Sequence, residues 1–280
     1  MILLYKLPIC GTDKIIGVGM IGNIQIITNL FFHYDLPIYA DMYSNGNCIT
    51  YDNEYEKDFN IINPFEYYFE FKYTKNKFER EVTLPKNHFD IVAIKYGNYQ
   101  LKYMDIYRNI REKFFQSYAI KDDILNFINE YNVKYFKNKI VLGVHIRSTD
   151  MVATNQNKNY LYFIDKINDI LRKHNIDKIF IATDSHEVIC KVIDVFGKDK
   201  ILNINNIERV NRVDDPVGAH DRINTQSIKY NDRKYHNYLC GKEVIIDMLL
   251  LSKCDYLIRS FSAVSDMAIF FNDKMKEVYS

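Results

Sequence analysis

The stretch Val141-Leu-Gly-Val-His-Ile-Arg-Ser-Thr-Asp150 decides the fold of this chain. Val141 to Val144 form a short apolar run, the pattern of a strand buried on both faces. His145, Arg147, Thr149 and Asp150 follow at once. A buried strand that delivers an arginine and hydrogen-bonding groups at its C-terminal end marks the ligand edge of an open α/β sheet. An arginine suits a phosphate, because its planar fork donates two parallel hydrogen bonds and never loses its charge. The plainer reading is a surface ion pair, Arg147 with Asp150, just beyond a strand. These residues alone do not separate the two.

Working outward, strand and helix patterns alternate. A strand over Ile140–Ile146 leads to a helix over Tyr160–His174, whose Phe163, Ile164, Ile167, Ile170 and Leu171 share one face. A strand over Lys178–Ala182 precedes a helix over Ser185–Phe196, with Gly197 as its stop. A strand over Lys200–Ile204 opens a long polar segment, Asn205–Asn237. A helix over Gly241–Ser252, a strand over Asp255–Ile258 and a helix over Ala263–Phe271 follow. This alternation predicts a parallel sheet covered by helices on both faces. A polar segment of that length inside such a unit is more often a functional loop than a linker.

The first half is less regular and rich in aromatic residues. It suggests strands over Lys14–Val18, Leu36–Ala40 and Phe89–Ile94 and a helix over Ile24–Phe32. Ile106–Phe136 reads as helical with a break near Ala119–Asp122. The predicted domains are therefore residues 1–137 and 138–280.

Composition excludes several classes. Lys+Arg 37 against Asp+Glu 36 gives no overall attraction to nucleic acid or to an anionic membrane. The five cysteines, Cys10, Cys48, Cys190, Cys240 and Cys254, are scattered, and no Cys/His pairing has zinc spacing. The start, Met1-Ile-Leu-Leu-Tyr-Lys-Leu-Pro, has neither a basic segment nor a long apolar core, and no stretch approaches the roughly 18 apolar residues of a membrane span. The expectation is a cytoplasmic protein without a transmembrane segment, with peripheral membrane contact left open.

Several motifs compete for the chemistry. Gly17-Val-Gly-Met-Ile-Gly22 matches a dinucleotide fingerprint, and Asp41 lies about 20 residues further on. The plainer reading is a glycine turn that lets a helix pack closely on a strand. Ile181-Ala-Thr-Asp184 ends a strand in polar residues, and Asp184 is expected to cap the following helix. His220-Asp-Arg222, in the polar segment, would suit an anion, although loop charges are usually just solvated. Asp247 lies among apolar neighbours on a helix, where a carboxylate needs hydrogen-bond donors or a ligand. Ser260-Phe-Ser262 closes a strand before a helix whose N-terminus could hold phosphate, and both hydroxyls could equally be ordinary caps. The order of these motifs would gather them at one edge of a parallel sheet, as a nucleoside-diphosphate site.

His145-Ile-Arg-Ser-Thr-Asp150, Phe180-Ile-Ala-Thr-Asp184, Gly218-Ala-His-Asp-Arg222 and Ile246-Asp-Met-Leu-Leu-Leu-Ser-Lys-Cys-Asp-Tyr-Leu-Ile-Arg-Ser-Phe-Ser262 together resemble the GDP-fucose-dependent fucosyltransferases, nearest to the α1,6-fucosyltransferase and nodulation fucosyltransferase type. The likeness covers roughly Ile140 to Phe271; Gly19 to Asn23 is similar to a glycine turn near the start of many such enzymes. It implies an α/β, glycosyltransferase-B-like fold of two Rossmann-like halves. The C-terminal half would bind the nucleotide sugar and the N-terminal half would face the acceptor. By that resemblance Arg147 would hold the donor diphosphate, His145 and Asp247 would contact guanine, and Ser260 and Ser262 would meet the phosphates. Asp184, His220 and Arg222 would line the pocket.

Physical chemistry is consistent with these roles. Negative charge grows on the diphosphate as the sugar departs, and a fixed arginine can stabilise it in place of a metal. No D-x-D carboxylate pair occurs in the sequence, so no metal is expected. The sequence also departs from the α1,6 pattern: Ser148 stands where a second arginine is expected, and Met151 and about Asn155 stand where a lysine and a glutamate are expected. The general base therefore does not carry over. Asp150 is the first candidate, and Glu187, Asp13 and Asp41 are the others. The expected activity is a metal-independent, inverting transfer of fucose to a glycan hydroxyl. The alternatives are a catalytically silent GDP-sugar-binding module and an NAD-dependent oxidoreductase built on Gly17, Gly19 and Gly22.

Overall fold

A computed structural model describes residues 1–6, 20–42, 52–75, 78–82, 104–147, 160–205, 207, 209, 233–260 and 262–279. The chain divides into two compact units, Met1–Phe127 with Arg233–Ile246, and Ile128–Asp232 with Asp247–Ser280.

In the first unit β1 (Leu3–Lys6), α1 (Met20–His33) and β2 (Ile38–Asp41) form a parallel β-α-β. α2 (Asn53–Phe59) follows, then a 3-10 turn over Pro64–Tyr67, β3 (Phe69–Phe71) and β4 (Arg80–Val82), which lies parallel to β1 on its other side. α3 (Met104–Ser117) leads into β5 (Tyr118–Ile120), paired antiparallel with β3, and α4 (Asp122–Tyr131) begins just beyond. The break near Ala119 is thus a strand. A strand this short is stabilised by its partner rather than by its own sequence. β2 forms one edge of its sheet, order β2-β1-β4, and side chains satisfy that edge. The Tyr118 hydroxyl accepts from the Ala40 amide at 2.9 Å and donates to the Ile38 carbonyl at 2.7 Å. Asn63 donates to the Ala40 carbonyl at 2.7 Å and accepts from the Met42 amide at 3.2 Å.

The second unit is one five-stranded sheet. A π-helical turn over Asn132–Phe136 delivers β6 (Val141–Ile146), followed by α5 (Tyr160–Lys173), β7 (Lys178–Thr183), α6 (His186–Phe196) and β8 (Ile201–Leu202). After the polar segment come α7 (His236–Leu251), β9 (Tyr256–Arg259), α8 (Ala263–Phe271) and β10 (Glu277–Tyr279). Most of α7 groups with the first unit, a return that no local sequence signal marks.

The strand order is β10-β9-β6-β7-β8, and every pairing is parallel. All six residues of β6 are buried, as a central parallel strand requires. Leu142, Val144 and Ile146 pack with Phe163, Ile167 and Ile170 of α5 and with Val188, Ile189 and Val192 of α6. Burying each such side chain contributes about 1.5–3 kcal/mol. Val141, Gly143 and His145 alternate to the opposite face. A Cβ at Gly143 would lie 3.0 Å from Cys254 Sγ and 3.1 Å from Leu251 Cδ2, so the end of α7 packs directly on the β6 backbone.

Several boundaries differ from expectation: α7 begins at His236 and not at Gly241, and β8 spans only Ile201–Leu202. α6 begins one residue later than predicted, because β7 continues through Thr183. The cap is therefore Ser185, whose hydroxyl accepts from the Val188 amide at 3.4 Å, and not Asp184. Gly197 does end α6, with φ 82. The predicted strands over 14–18 and 89–94 lie outside the described residues.

Candidate functional site

In a sheet of this order the chain runs outward from β6 through β7 to β8, then returns to β9 on the far side. The connections leaving β6 and β9 therefore diverge, and a crevice opens between the C-terminal ends of these two strands. The sequence places its polar motifs on those ends and on the neighbouring end of β7.

β6 ends in His145 and Ile146, with Arg147 just beyond, and β9 ends in Arg259, with Ser260 just beyond. His145 lies opposite Arg259 in the ladder. The Ser260 amide donates to the His145 carbonyl at 2.9 Å, and the Ser260 hydroxyl donates to the same oxygen at 3.1 Å. That hydroxyl accepts from the Arg147 amide at 3.1 Å. Ser260 thus fixes where the chain leaves β6. Ser262 is the N-cap of α8, accepting from the Val264 amide at 3.3 Å, so of the two serines only this one does what a cap does. Ser265 closes the turn by donating to the Ser260 and Ser262 carbonyls at 2.8 and 2.9 Å.

His145 is buried, and its Nδ1 has no hydrogen-bond partner among the described residues. Burial drives its pKa down to about 4; the Arg147 and Arg259 guanidinium groups add to this, while Asp184 and the Ser260 backbone oppose it. The ring is therefore neutral near pH 7 and available as a hydrogen-bonding group, not as a cation. A buried nitrogen left unmatched is costly unless something fills the position, which fits a polar ligand at this strand end.

Two arginines complete the electrostatics, and sequence reasoning assigned a role to neither. Arg259 is buried and pairs with Asp266 of α8 at 2.5 Å. Arg209 is described within the polar segment. It donates to the Thr183 carbonyl at the end of β7 and lies 3.8 Å from Asp247. The Arg209 and Asp247 side chains are 4% and 12% exposed, so the carboxylate flagged on α7 has a buried counter-ion. Arg259 was visible inside a quoted motif, but a strand-end arginine carries no signal of its own partner. Arg209 stood among too many loop charges to single out.

Asp184 is half-buried beside the β7 end. Glu187 pairs with Lys191 one turn further along α6. In the first unit Asp41 ends β2 and lines a cleft of ≈350 Å³ with Tyr39, Asn63 and Glu66. Asp13, Ser148, Asp150, Met151, Asn155, His220 and Arg222 lie outside the described residues. So do Gly17 and Gly19, whereas Gly22 sits in the first turn of α1. Among the described residues no group of three or more His, Cys, Asp or Glu could hold a metal ion, and no helix is long and apolar enough to cross a membrane.

This geometry can neutralise an anion. Arg147 and the first turn of α8 leave the two strand ends that flank the crevice.

No protein-family model matches the sequence. No curated protein matches it either. Solved structures do. The chain is similar to a crystal structure of NodZ α-1,6-fucosyltransferase soaked with GDP-fucose, with 13% identity over 97% of this chain and 92% of that one, at a TM-score of 0.54. It is similar to the fucosyltransferase NodZ from Bradyrhizobium, with 14% identity over 95% and 91% of the two chains, at a TM-score of 0.53. At such identities the likeness establishes the fold. That fold is α/β and glycosyltransferase-B-like, the architecture of these fucosyltransferase structures, as the resemblance implied.

Proposed function

We propose that this protein is a glycosyltransferase that moves fucose from GDP-fucose to a glycan hydroxyl, inverting at the anomeric carbon and using no metal. The observation that carries the reading is the placement of Arg147, His145 and Ser260 on the β6 and β9 ends that flank the crevice of the sheet.

The donor diphosphate sits against the Arg147 guanidinium and the N-terminus of α8, whose amides and dipole favour negative charge. As the bond between the sugar and the diphosphate breaks, the guanidinium and the amides stabilise the charge that grows on the leaving group. Neutral His145 and the Asp247 carboxylate face the guanine, with Arg209 holding Asp247 in place. Asp184, His220 and Arg222 line the pocket. The segment 138–280 binds the donor and 1–137 serves the acceptor. The base that takes the acceptor proton is a carboxylate, with Asp150 the first choice. A cytoplasmic step of surface-polysaccharide synthesis fits such a protein.

A nucleotide panel read by thermal unfolding tests this. GDP and GDP-fucose should raise Tm while UDP and NAD leave it unchanged; at about a hundredfold above Kd, stabilisation is about 2.7 kcal/mol. No effect of GDP, or an effect of NAD in its place, would end the reading. The residues at Ser148, Met151 and Asn155 favour one second reading, a silent GDP-sugar-binding module. GDP release from GDP-fucose with a glycan acceptor mixture in EDTA separates the two.

A further inference from the structure

The five-stranded sheet carries a second charged surface, at the edge opposite the crevice. All five strands run parallel, so their N-terminal ends emerge on one side. A lysine stands at or just before the start of each: Lys139 for β6, Lys178 for β7, Lys200 for β8, Lys253 for β9 and Lys276 for β10. α5 and α6 run back against the strands and end on this side with Arg172, Lys173 and Lys198. Lys134 and Lys137 arrive from the turn before β6. In a chain with a net charge of only +1 and 37 Lys and Arg, these ten gather on one edge of one sheet.

Carboxylates stand on the same edge, among them Asp199, Asp273 and Glu277, but they are fewer than the cations. Asp177 is engaged with the Ile140 amide at 2.7 Å. Asp255 accepts from the Val141 amide at 2.9 Å and pairs with Lys276 at 3.2 Å. Lys139, Lys178 and Lys200 donate to main-chain carbonyls, of Tyr135, Asp199 and Ile176, and so keep their charge. Lys137, Lys173, Lys198, Lys253 and Lys274 are exposed and make no ion pair among the described residues. The dipoles of α5 and α6 account for cations at their own C-termini. They do not account for a lysine at the start of every strand.

Two further features describe the partner. A groove of ≈490 Å³ opens on this edge, lined by Leu171, Arg172, Lys173, His174, Ile176 and Lys200. Val133 and Val195, 60% and 52% exposed, stand among the cations. Apolar side chains interleaved with lysines suit a lipid interface, where alkyl stems lie along apolar material and ammonium groups meet headgroups. Flexible lysines are point charges that suit a diffuse anionic surface, whereas base or phosphate recognition in nucleic acid draws on arginine forks. Arg172 pairs with Asp169 on its own helix.

We propose that this edge docks the protein on an anionic phospholipid surface. β6 spans about 20 Å, so the crevice would stay that far from the headgroups and open to solution.

Co-sedimentation with vesicles tests the proposal. The protein should pellet with vesicles of phosphatidylcholine containing about one-third phosphatidylglycerol, remain in solution with phosphatidylcholine alone, and be released as salt is raised. A variant carrying K173Q, K198Q, K253Q and K274Q should bind at least about a hundredfold more weakly, since each lysine near such a surface contributes a factor of about five. These side chains are exposed and far from the crevice, so the Tm of the variant should match that of the parent. The salt titration of the unmodified protein gives a second reading that needs no variant. Failure to bind the anionic vesicles, equal binding to both vesicle types, binding indifferent to salt, or preference for an RNA duplex over vesicles would each overturn the proposal. The nucleotide panel is independent, so the two can fail separately.

Discussion

The Ser260 hydroxyl accepts from the Arg147 amide at 3.1 Å, joining the ends of two parallel strands that are far apart in sequence. The same oxygen donates to the His145 carbonyl at 3.1 Å. One small side chain on β9 therefore sets the point at which the proposed phosphate-binding arginine leaves β6.

Ser260→Ala removes that link and keeps the backbone bond from the Ser260 amide to His145. Global stability should fall by about 1 kcal/mol, the net worth of such a hydrogen bond. GDP affinity should fall further, by about tenfold, because Arg147 loses its fixed exit. Arg147→Ala should leave Tm almost unchanged and weaken GDP by about 10- to 100-fold, the worth of a charge-assisted hydrogen bond. Calorimetric titration with GDP beside thermal unfolding distinguishes the two variants. An Arg147→Ala protein that binds GDP with full affinity would remove Arg147 from the site.

The buried Arg209–Asp247 pair makes an opposite demand on stability. Removing one partner leaves the other charge less compensated at low exposure, which costs up to about 3–5 kcal/mol. Arg209→Ala should therefore unfold several degrees earlier than the parent. Restoring neutrality with Asp247→Asn in the same chain should recover part of that loss, which a double-mutant cycle in urea would read.

His145 makes stability depend on pH. Its pKa is 6.5 when free and about 4 in the fold, so between these values the unfolded chain binds a proton that the folded chain does not. The contribution is complete above the free value and drains as pH falls toward the folded one. From about pH 7 to about pH 5 the loss is about 2 kcal/mol. Urea unfolding of the parent should steepen over that interval relative to His145→Gln, which has nothing to titrate. Parallel profiles would show that burial does not shift the imidazole.

Gly143→Ala should destabilise by about 1–3 kcal/mol. A methyl group there meets Cys254 Sγ at 3.0 Å, Leu251 Cδ2 at 3.1 Å and Cys254 Cβ at 3.2 Å, and both neighbours are buried. The lower backbone entropy of alanine in the unfolded chain offsets less than 1 kcal/mol. Chemical denaturation of the single variant measures the sum. A stabilised protein would mean that α7 can move off the sheet freely.

The sequence by itself determined the second unit. β6, α5, β7, α6, β9 and α8 announce themselves because helices and strands impress different apolar periods on the chain, and the burial of β6 on both faces follows from its unbroken apolar run. It also placed His145, Arg147 and Ser260 at strand ends, since a strand end is a local property. Elements held by partners were not legible: β5 exists through its pairing with β3, and β10 through its pairing with β9. Tertiary structure alone decided that β9 lies beside β6, which turns a list of polar strand ends into the two flanks of one crevice. It alone gave Asp247 its partner, because an ion pair between Arg209 and α7 depends on where the polar segment returns and not on any spacing along the chain. It alone gathered a lysine from the start of every strand onto one edge, since only strands that run parallel put all their beginnings together.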